Sequence, residues 1–114
     1  MAKIRIESSS VSMTATLNES GTAKKILAIL PVEATANRWG KEVYFSIPVK
    51  AGEEDPQASV PSGALGYWPP GDALCIFFGQ TPYSPVNVVG SLDGDPNEFA
   101  KVKDGDAIKV VKAK

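Results

Sequence analysis

Histidine is absent from this 114-residue chain, arginine occurs only at Arg5 and Arg38, and Cys75 is the single cysteine. Without histidine the chain cannot assemble a Ser-His-Asp or Cys-His catalytic group, nor the imidazole ligands of a histidine-bound zinc ion. One cysteine cannot form a disulfide within the chain. These absences exclude several common hydrolytic and metal-dependent functions, and we expect no cofactor and no metal site.

Charges of the two signs nearly balance, because 12 lysines and arginines against 13 aspartates and glutamates leave a formal net charge of -1. We therefore expect neither nucleic acid nor a membrane surface as a partner. Apolar runs stay well short of the ~18 residues of a membrane span, and the N-terminus alternates where a signal peptide would have a continuous apolar segment. The sequence predicts a cytoplasmic protein, in which Cys75 is a buried side chain and not a reactive thiol.

Alternating apolar and polar residues predict a mainly β fold in a single domain over residues 1–114. One amphipathic helix should follow the capping residues 18–22 and end at Pro31, and Asp95 with Pro96 should open a short helical turn. About seven short strands with one helix are typical of a β-barrel or a sandwich. The strands are expected at residues 3–7, 11–17, 42–48, 64–68, 74–78, 86–92 and 107–112.

Eight of the nine aromatic residues lie between Trp39 and Tyr83. Phe45, Phe77 and Phe78 as a set are interpreted as core residues, because large aromatic rings fill the interior of a small domain. Tyr44 falls on the strand face opposite Phe45, and at least one of the adjacent Tyr67 and Trp68 should point away from the core. Because tyrosine and tryptophan combine an apolar body with a polar atom, these three are candidates for the walls of a ligand pocket.

Polar candidates stand in the loop that follows the apolar run at residues 74–78. Gln80, Thr81 and Ser84 either cap the local backbone or contact a ligand, and the pattern leaves both open. Arg38 directly precedes Trp39-Gly40, where it is either a solvated loop residue or a group that clamps a carboxylate or stacks on an aromatic ring.

The order of these elements, together with several local motifs, resembles the cyclophilin fold, and more closely a small family of uncharacterised cyclophilin-like proteins from archaea and bacteria. The resemblance spans about residues 20 to 92 and implies a closed barrel of about eight strands with one helix. It is carried by Thr22-Ala23, Trp39-Gly40-Lys41-Glu42-Val43-Tyr44-Phe45, Gly63-Ala64-Leu65-Gly66-Tyr67-Trp68-Pro69 and Ile76-Phe77-Phe78-Gly79-Gln80-Thr81-Pro82-Tyr83-Ser84.

The resemblance also implies that the catalytic group of true prolyl isomerases is missing. In those enzymes Phe-His-Arg is followed by two hydrophobic residues and a proline. The matching stretch in this chain is Val43-Tyr44-Phe45-Ser46-Ile47-Pro48, in which Phe45 replaces the arginine. Phe78 matches a ring of the family's pocket floor, whereas Trp68 stands where the family has a small alanine. Since Arg38 is the only conceivable substitute, prolyl isomerase activity should be weak or absent.

These observations favour a binding module that holds a small molecule or a peptide in the former peptide groove. Two alternatives remain. One is an enzyme, either a divergent prolyl isomerase or one that uses carboxylates such as Glu42 and Asp72; the other is an interaction protein whose exposed aromatics form a homo-oligomer. The predicted ligand-binding residues are Arg38, Tyr44, Tyr67, Trp68, Phe78, Gln80, Thr81 and Ser84.

Overall fold

Most of the strands form where the sequence alternates between apolar and polar residues, as predicted. The computed structural model describes residues 2–79, 82 and 84–113, and within them the fold is mainly β. The nine strands in this part of the chain are β1 (Lys3–Ser8), β2 (Ser12–Leu17), β3 (Val32–Thr35), β4 (Asn37–Trp39), β5 (Glu42–Ser46), β6 (Ala64–Trp68), β7 (Ala73–Phe77), β8 (Asn87–Leu92) and β9 (Ala107–Lys112). One α-helix, α1 (Gly21–Ile29), and two 3-10 helices, Pro69–Gly71 and Pro96–Lys101, complete the described elements.

All nine strands join one antiparallel sheet in the order β3-β9-β1-β2-β8-β6-β7-β5-β4. The two edge strands, β3 and β4, are consecutive in the chain and separated only by the wholly buried Ala36. The Ala36 N–H donates to the Asp106 carbonyl, and its own carbonyl accepts from the Gly105 N–H, both at 2.8 Å. Because one extended segment pairs with β9 and then with β5, the sheet closes almost completely into a barrel.

The barrel confirms the predicted fold class, but the sequence analysis missed β3 and β4. Both are short, and the alternating burial of β3 involves only the half-buried Val32 and Ala34. Neither strand therefore carries the strong apolar alternation by which the other strands are recognisable.

Helix α1 begins where the capping side chains predicted it. The Ser20 hydroxyl accepts from the Ala23 N–H at 3.2 Å. A second group serves the same end of the helix: the Glu54 carboxylate accepts from the N–H groups of Gly21 and Thr22 at 3.0 and 2.8 Å. Hydrogen bonds from Thr22 and Gly21 lower the pKa of Glu54, and they fasten the long segment after β5 to the helix. In the described part of the chain, no helix has the length and apolar character needed to cross a membrane.

The sheet buries apolar side chains on both of its faces. The inner face holds the main cluster, to which β7 contributes Leu74 and Ile76. The outer face holds a smaller cluster around Ala73, Cys75 and Phe77 of the same strand. β7 is therefore buried along its whole length, as its uninterrupted apolar run predicts, and its outer side forms the base of the candidate site.

Gly90 in β8 provides a test of the strand packing. An added methyl group at Gly90 would overlap the carbonyl oxygen of Thr16 in β2, whereas at Gly52 it would meet no atom within 4 Å. We expect Gly90→Ala to lower the free energy of unfolding by about 1–3 kcal/mol. The matched control Gly52→Ala should stay within about 0.5 kcal/mol of wild type. Urea unfolding measures both, and equal stabilities of the two variants would contradict the observed contact between β2 and β8.

Candidate functional site

A cavity of about 230 Å³ opens on the outer face of the barrel, over β4, β5, β7 and the end of β6. It combines three large aromatic rings with a carboxyl group, a thiol and a hydroxyl. Its lining residues are Trp39, Glu42, Tyr44, Trp68, Cys75, Pro82, Ser84 and Val86.

Strand alternation and register assemble the base of this cavity. In β5, Val43 and Phe45 point into the main cluster, so Glu42 and Tyr44 face the other way. Tyr44 lies opposite Cys75 of β7, and Glu42 lies opposite Trp39 of β4. Three neighbouring strands thus bring their outward side chains to one spot.

Trp68 forms a wall of the cavity and is held from two sides. Its indole N–H donates to the hydroxyl of Ser84. This hydrogen bond connects the end of β6 to the segment that precedes β8. Its ring lies over Gly71, where a Cβ atom would come within 2.7 Å of the ring carbons. The turn after β6 therefore needs a residue without a side chain at this position.

Glu42 is the electrostatically unusual group of the site. Its side chain is buried, with the residue only 6% exposed, and Oε1 has no hydrogen-bond partner among the described residues. Burial raises the pKa of Glu42, and a hydrogen bond from the Cys75 thiol opposes that shift in part. A buried acceptor without a partner costs about 1–3 kcal/mol, so this arrangement lowers stability unless another group supplies a donor.

Cys75 is buried, as the sequence predicts, but it also forms part of the cavity base. Burial raises the pKa of its thiol well above the ordinary value, and the nearby Glu42 carboxyl raises it further. The thiol therefore stays protonated at neutral pH and is a poor nucleophile.

Arg38 does not line the cavity and is engaged by the fold. Its guanidinium donates to the carbonyl of Gly40 at 2.6 Å and to those of Ala100 and Val102 at 3.1 and 2.9 Å. Its Cζ also lies 4.9 Å from the centroid of the Phe78 ring. Of the alternatives that the sequence leaves open, stacking on an aromatic ring is the one observed.

The other predicted site residues are divided between the two faces of the sheet. Tyr44, Trp68 and Ser84 meet at the cavity, whereas Phe78 packs in the inner cluster beneath Arg38. Tyr67 is wholly buried in that inner cluster, and its hydroxyl lies 2.6 Å from the Val49 carbonyl and 3.1 Å from the Asp72 carboxylate. Gln80 and Thr81 lie outside the described residues. Ligand binding by any of these residues stays a prediction.

The two carboxylates of the enzyme hypothesis do not meet in this cavity. Glu42 lines it, whereas Asp72 forms an ion pair with Lys50 at 2.8 Å and is not among the lining residues. Within the described residues, no three aspartate, glutamate or cysteine side chains are grouped closely enough to hold a metal ion.

Sequence reasoning did not assign Trp39, Cys75, Pro82 and Val86 to a site. The alternation of β5 places Glu42 on the same face as Tyr44 and was a usable signal for that residue. The roles of Pro82 and Val86 depend on contacts between segments far apart in the chain, which the local pattern does not carry.

Comparison with known proteins gives matches along nearly the whole chain. The sequence model of a family described as cyclophilin-like matches residues 2–111. The solution structure of the hypothetical protein AF2241 from Archaeoglobus fulgidus is similar, with a TM-score of 0.83 and 33% identity over 98% of this chain and 95% of that one. The structure of McbB in complex with tryptophan shares the fold, with a TM-score of 0.71 and 18% identity over 95% of this chain but 44% of McbB. No curated protein matches the chain.

Glu42→Gln tests the electrostatic description of the cavity. Because burial raises the pKa of Glu42, this side chain keeps its proton to higher pH in the folded protein than in the unfolded chain, where glutamate titrates at about 4.3. The contribution of Glu42 to the wild type's free energy of unfolding should therefore fall as the pH rises above that value and level off above its folded pKa. The variant lacks this loss, so the stability difference should shift in its favour as the pH rises above about 4.

Urea unfolding at a series of pH values measures this difference. Glu53→Gln is the matched control, because it makes the same substitution on an exposed loop side chain. If the stability difference between Glu42→Gln and wild type stays constant with pH, burial does not raise the pKa of Glu42.

Proposed function

The chain belongs to the cyclophilin-like family, and we propose that within it the protein binds a small aromatic molecule in the outer-face cavity. The observation that carries the proposal is the position of Trp39. Among the described residues it is the one large apolar side chain that is exposed, at 44%, and it lies beside the cavity. An exposed tryptophan next to two further aromatic walls supports a site for a flat, apolar partner.

The size of the cavity favours a small molecule over a peptide. Pockets for drug-sized ligands usually measure about 300–1,000 Å³, and a cavity of about 150 Å³ already holds benzene. At about 230 Å³, this cavity suits one ring or two fused rings. A peptide would fill it with a single side chain and leave the rest of its length on the surface.

McbB, which shares the fold, was solved in complex with tryptophan, itself an aromatic molecule. Because the identity is low and this chain spans less than half of McbB, that likeness concerns the fold alone. The proposal for this chain rests on its own cavity.

A homo-oligomer interface at Trp39 is the second candidate, because the exposed ring could be covered by another copy. An interface needs an apolar patch of several hundred Å², and one exposed large side chain among the described residues does not supply it. The cytoplasmic location expected from the sequence stays a prediction.

Indole is a suitable probe, because its two fused rings match the cavity volume. We expect it to raise the melting temperature and to bind in a calorimetric titration, since a ligand of the native state stabilises it by about 1.4 kcal/mol at ten times its Kd. Cys75→Met places a larger side chain at the base of the cavity and should weaken binding by tenfold or more, on the order of the usual overpacking energy of about 1–3 kcal/mol.

Phe99→Leu is the control for the indole experiment, because Phe99 is an equally buried side chain of the inner cluster. It should lower stability without changing the affinity for indole. If indole fails to bind wild type, or binds Cys75→Met equally well, the cavity is not the site.

Prolyl isomerase activity should be weak or absent, because the resembled isomerases lower the barrier with an arginine that donates to the twisted peptide bond, and phenylalanine replaces it here. Neither arginine lines the cavity, and Arg38 already donates to three backbone carbonyls. In a protease-coupled assay with a proline peptide, wild type should not exceed the uncatalysed rate. Turnover that is lost in Arg38→Ala but kept in Arg5→Ala, with both variants folded, would contradict this proposal.

A further inference from the structure

Besides Glu42, the other two buried polar side chains among the described residues, Thr22 and Asn87, have hydrogen-bond partners. The Thr22 hydroxyl donates to Glu54 at 2.7 Å. The Asn87 amide accepts from the Glu54 N–H at 2.9 Å and donates to the Gly52 carbonyl at 2.9 Å. Against this background Glu42 stands apart, because its Oε1 is the one buried side-chain oxygen or nitrogen in the described residues without a partner.

The position of Glu42 connects this unmet acceptor to the cavity. The side chain lies on the outward face of β5 together with Tyr44, and both line the cavity. None of the described lining residues is a lysine or arginine that could pair with the carboxyl. The Ser84 hydroxyl accepts from Trp68, and the Cys75 thiol is only a weak donor. No described donor bonds to Oε1, and a bound molecule that carries a strong donor would supply the missing hydrogen bond.

The surroundings of the carboxyl also limit what kind of donor fits. An ammonium group would have to give up its hydration on entering a buried site, and its three N–H donors would each need an acceptor there. A ring N–H brings a single donor, no charge, and a flat surface that packs against tryptophan and tyrosine.

We propose that the ligand of this cavity is a neutral heteroaromatic molecule with a ring N–H, and that the Glu42 carboxyl accepts the hydrogen bond from it. The inference rests on the proposed binding function and names the chemical class that the site selects. Glu42 is then the residue that determines specificity, while the aromatic walls supply affinity for any flat ring of suitable size.

Indole and benzofuran form the test pair, because they have nearly the same shape and differ in the ring N–H that benzofuran replaces by oxygen. Calorimetric titration of wild type should give an affinity for indole at least about tenfold higher than for benzofuran, the range expected when a buried acceptor is left without its donor. Benzylamine, which carries an ammonium group, should bind more weakly than indole.

Two variants locate the preference at Glu42. Glu42→Leu removes the acceptor and should bring the affinities for indole and benzofuran to within about twofold of each other. Glu42→Gln keeps a carbonyl oxygen and should retain the preference for indole. Retention of the full preference in Glu42→Leu would overturn the assignment of the acceptor.

The outcomes separate this inference from the proposed function. Equal binding of indole and benzofuran to wild type would overturn the role of Glu42 and leave an aromatic cavity without donor selection. Tighter binding of benzylamine would overturn the neutral class in favour of a cation. If none of the three probes binds, the proposed binding function itself fails. These results do not require any variant to fold, because they are measured on wild type.

Discussion

The burial of β7 on both faces is the constraint on which the rest of the structure depends. Its inward side chains complete the barrel core, and its outward side chains, Ala73, Cys75 and Phe77, form a second apolar surface that must also be kept from water. Val60 and Val86 pack onto that surface, and backbone hydrogen bonds between Gln57 and Val86 hold two covering segments together. The candidate site lies where this cover meets the outward residues of β5, with Trp68 and Ser84 at its side. The cavity is therefore a consequence of how the outer face of one strand is covered.

Closure of the barrel gives Arg38 its role. The segment that crosses from β3 to β4 changes partners at Ala36, and Arg38 follows two residues later. Its hydrogen bonds to Ala100 and Val102 tie this crossing to the 3-10 helix before β9, and its contact with Phe78 ties it to the core. An arginine with these contacts stabilises the join between the two edges of the sheet. A cationic group held in this way is not placed to polarise a substrate.

The sequence predicted those parts of the fold that depend on the local spacing of apolar and capping residues. The long strands, the capped helix and the doubly buried β7 follow from periodicity and capping residues. β3 and β4 were missed because edge strands of three or four residues need few apolar side chains. At the site, the alternation of β5 assigns Phe45 to the core and Tyr44 to the other face, whereas for Tyr67 and Trp68 only the sheet register decides which side chain faces the core. The unpaired state of Glu42 depends on every surrounding group at once, and for that reason no sequence pattern indicates it.

The absence of histidine and the scarcity of arginine in this chain affect the electrostatics of the cavity. Histidine is absent, Arg5 lies on β1, and Arg38 is bound within the fold, so neither arginine is available to balance the Glu42 carboxyl. Burial raises the pKa values of both Glu42 and Cys75, which shifts each group toward its neutral form. Burial that disfavours charge on these side chains also disfavours charge on an occupant of the cavity, because an ion loses its hydration there. Hydrogen bonding and ring packing then remain as the means of recognition, and these are the interactions that Glu42, Tyr44 and Trp68 provide.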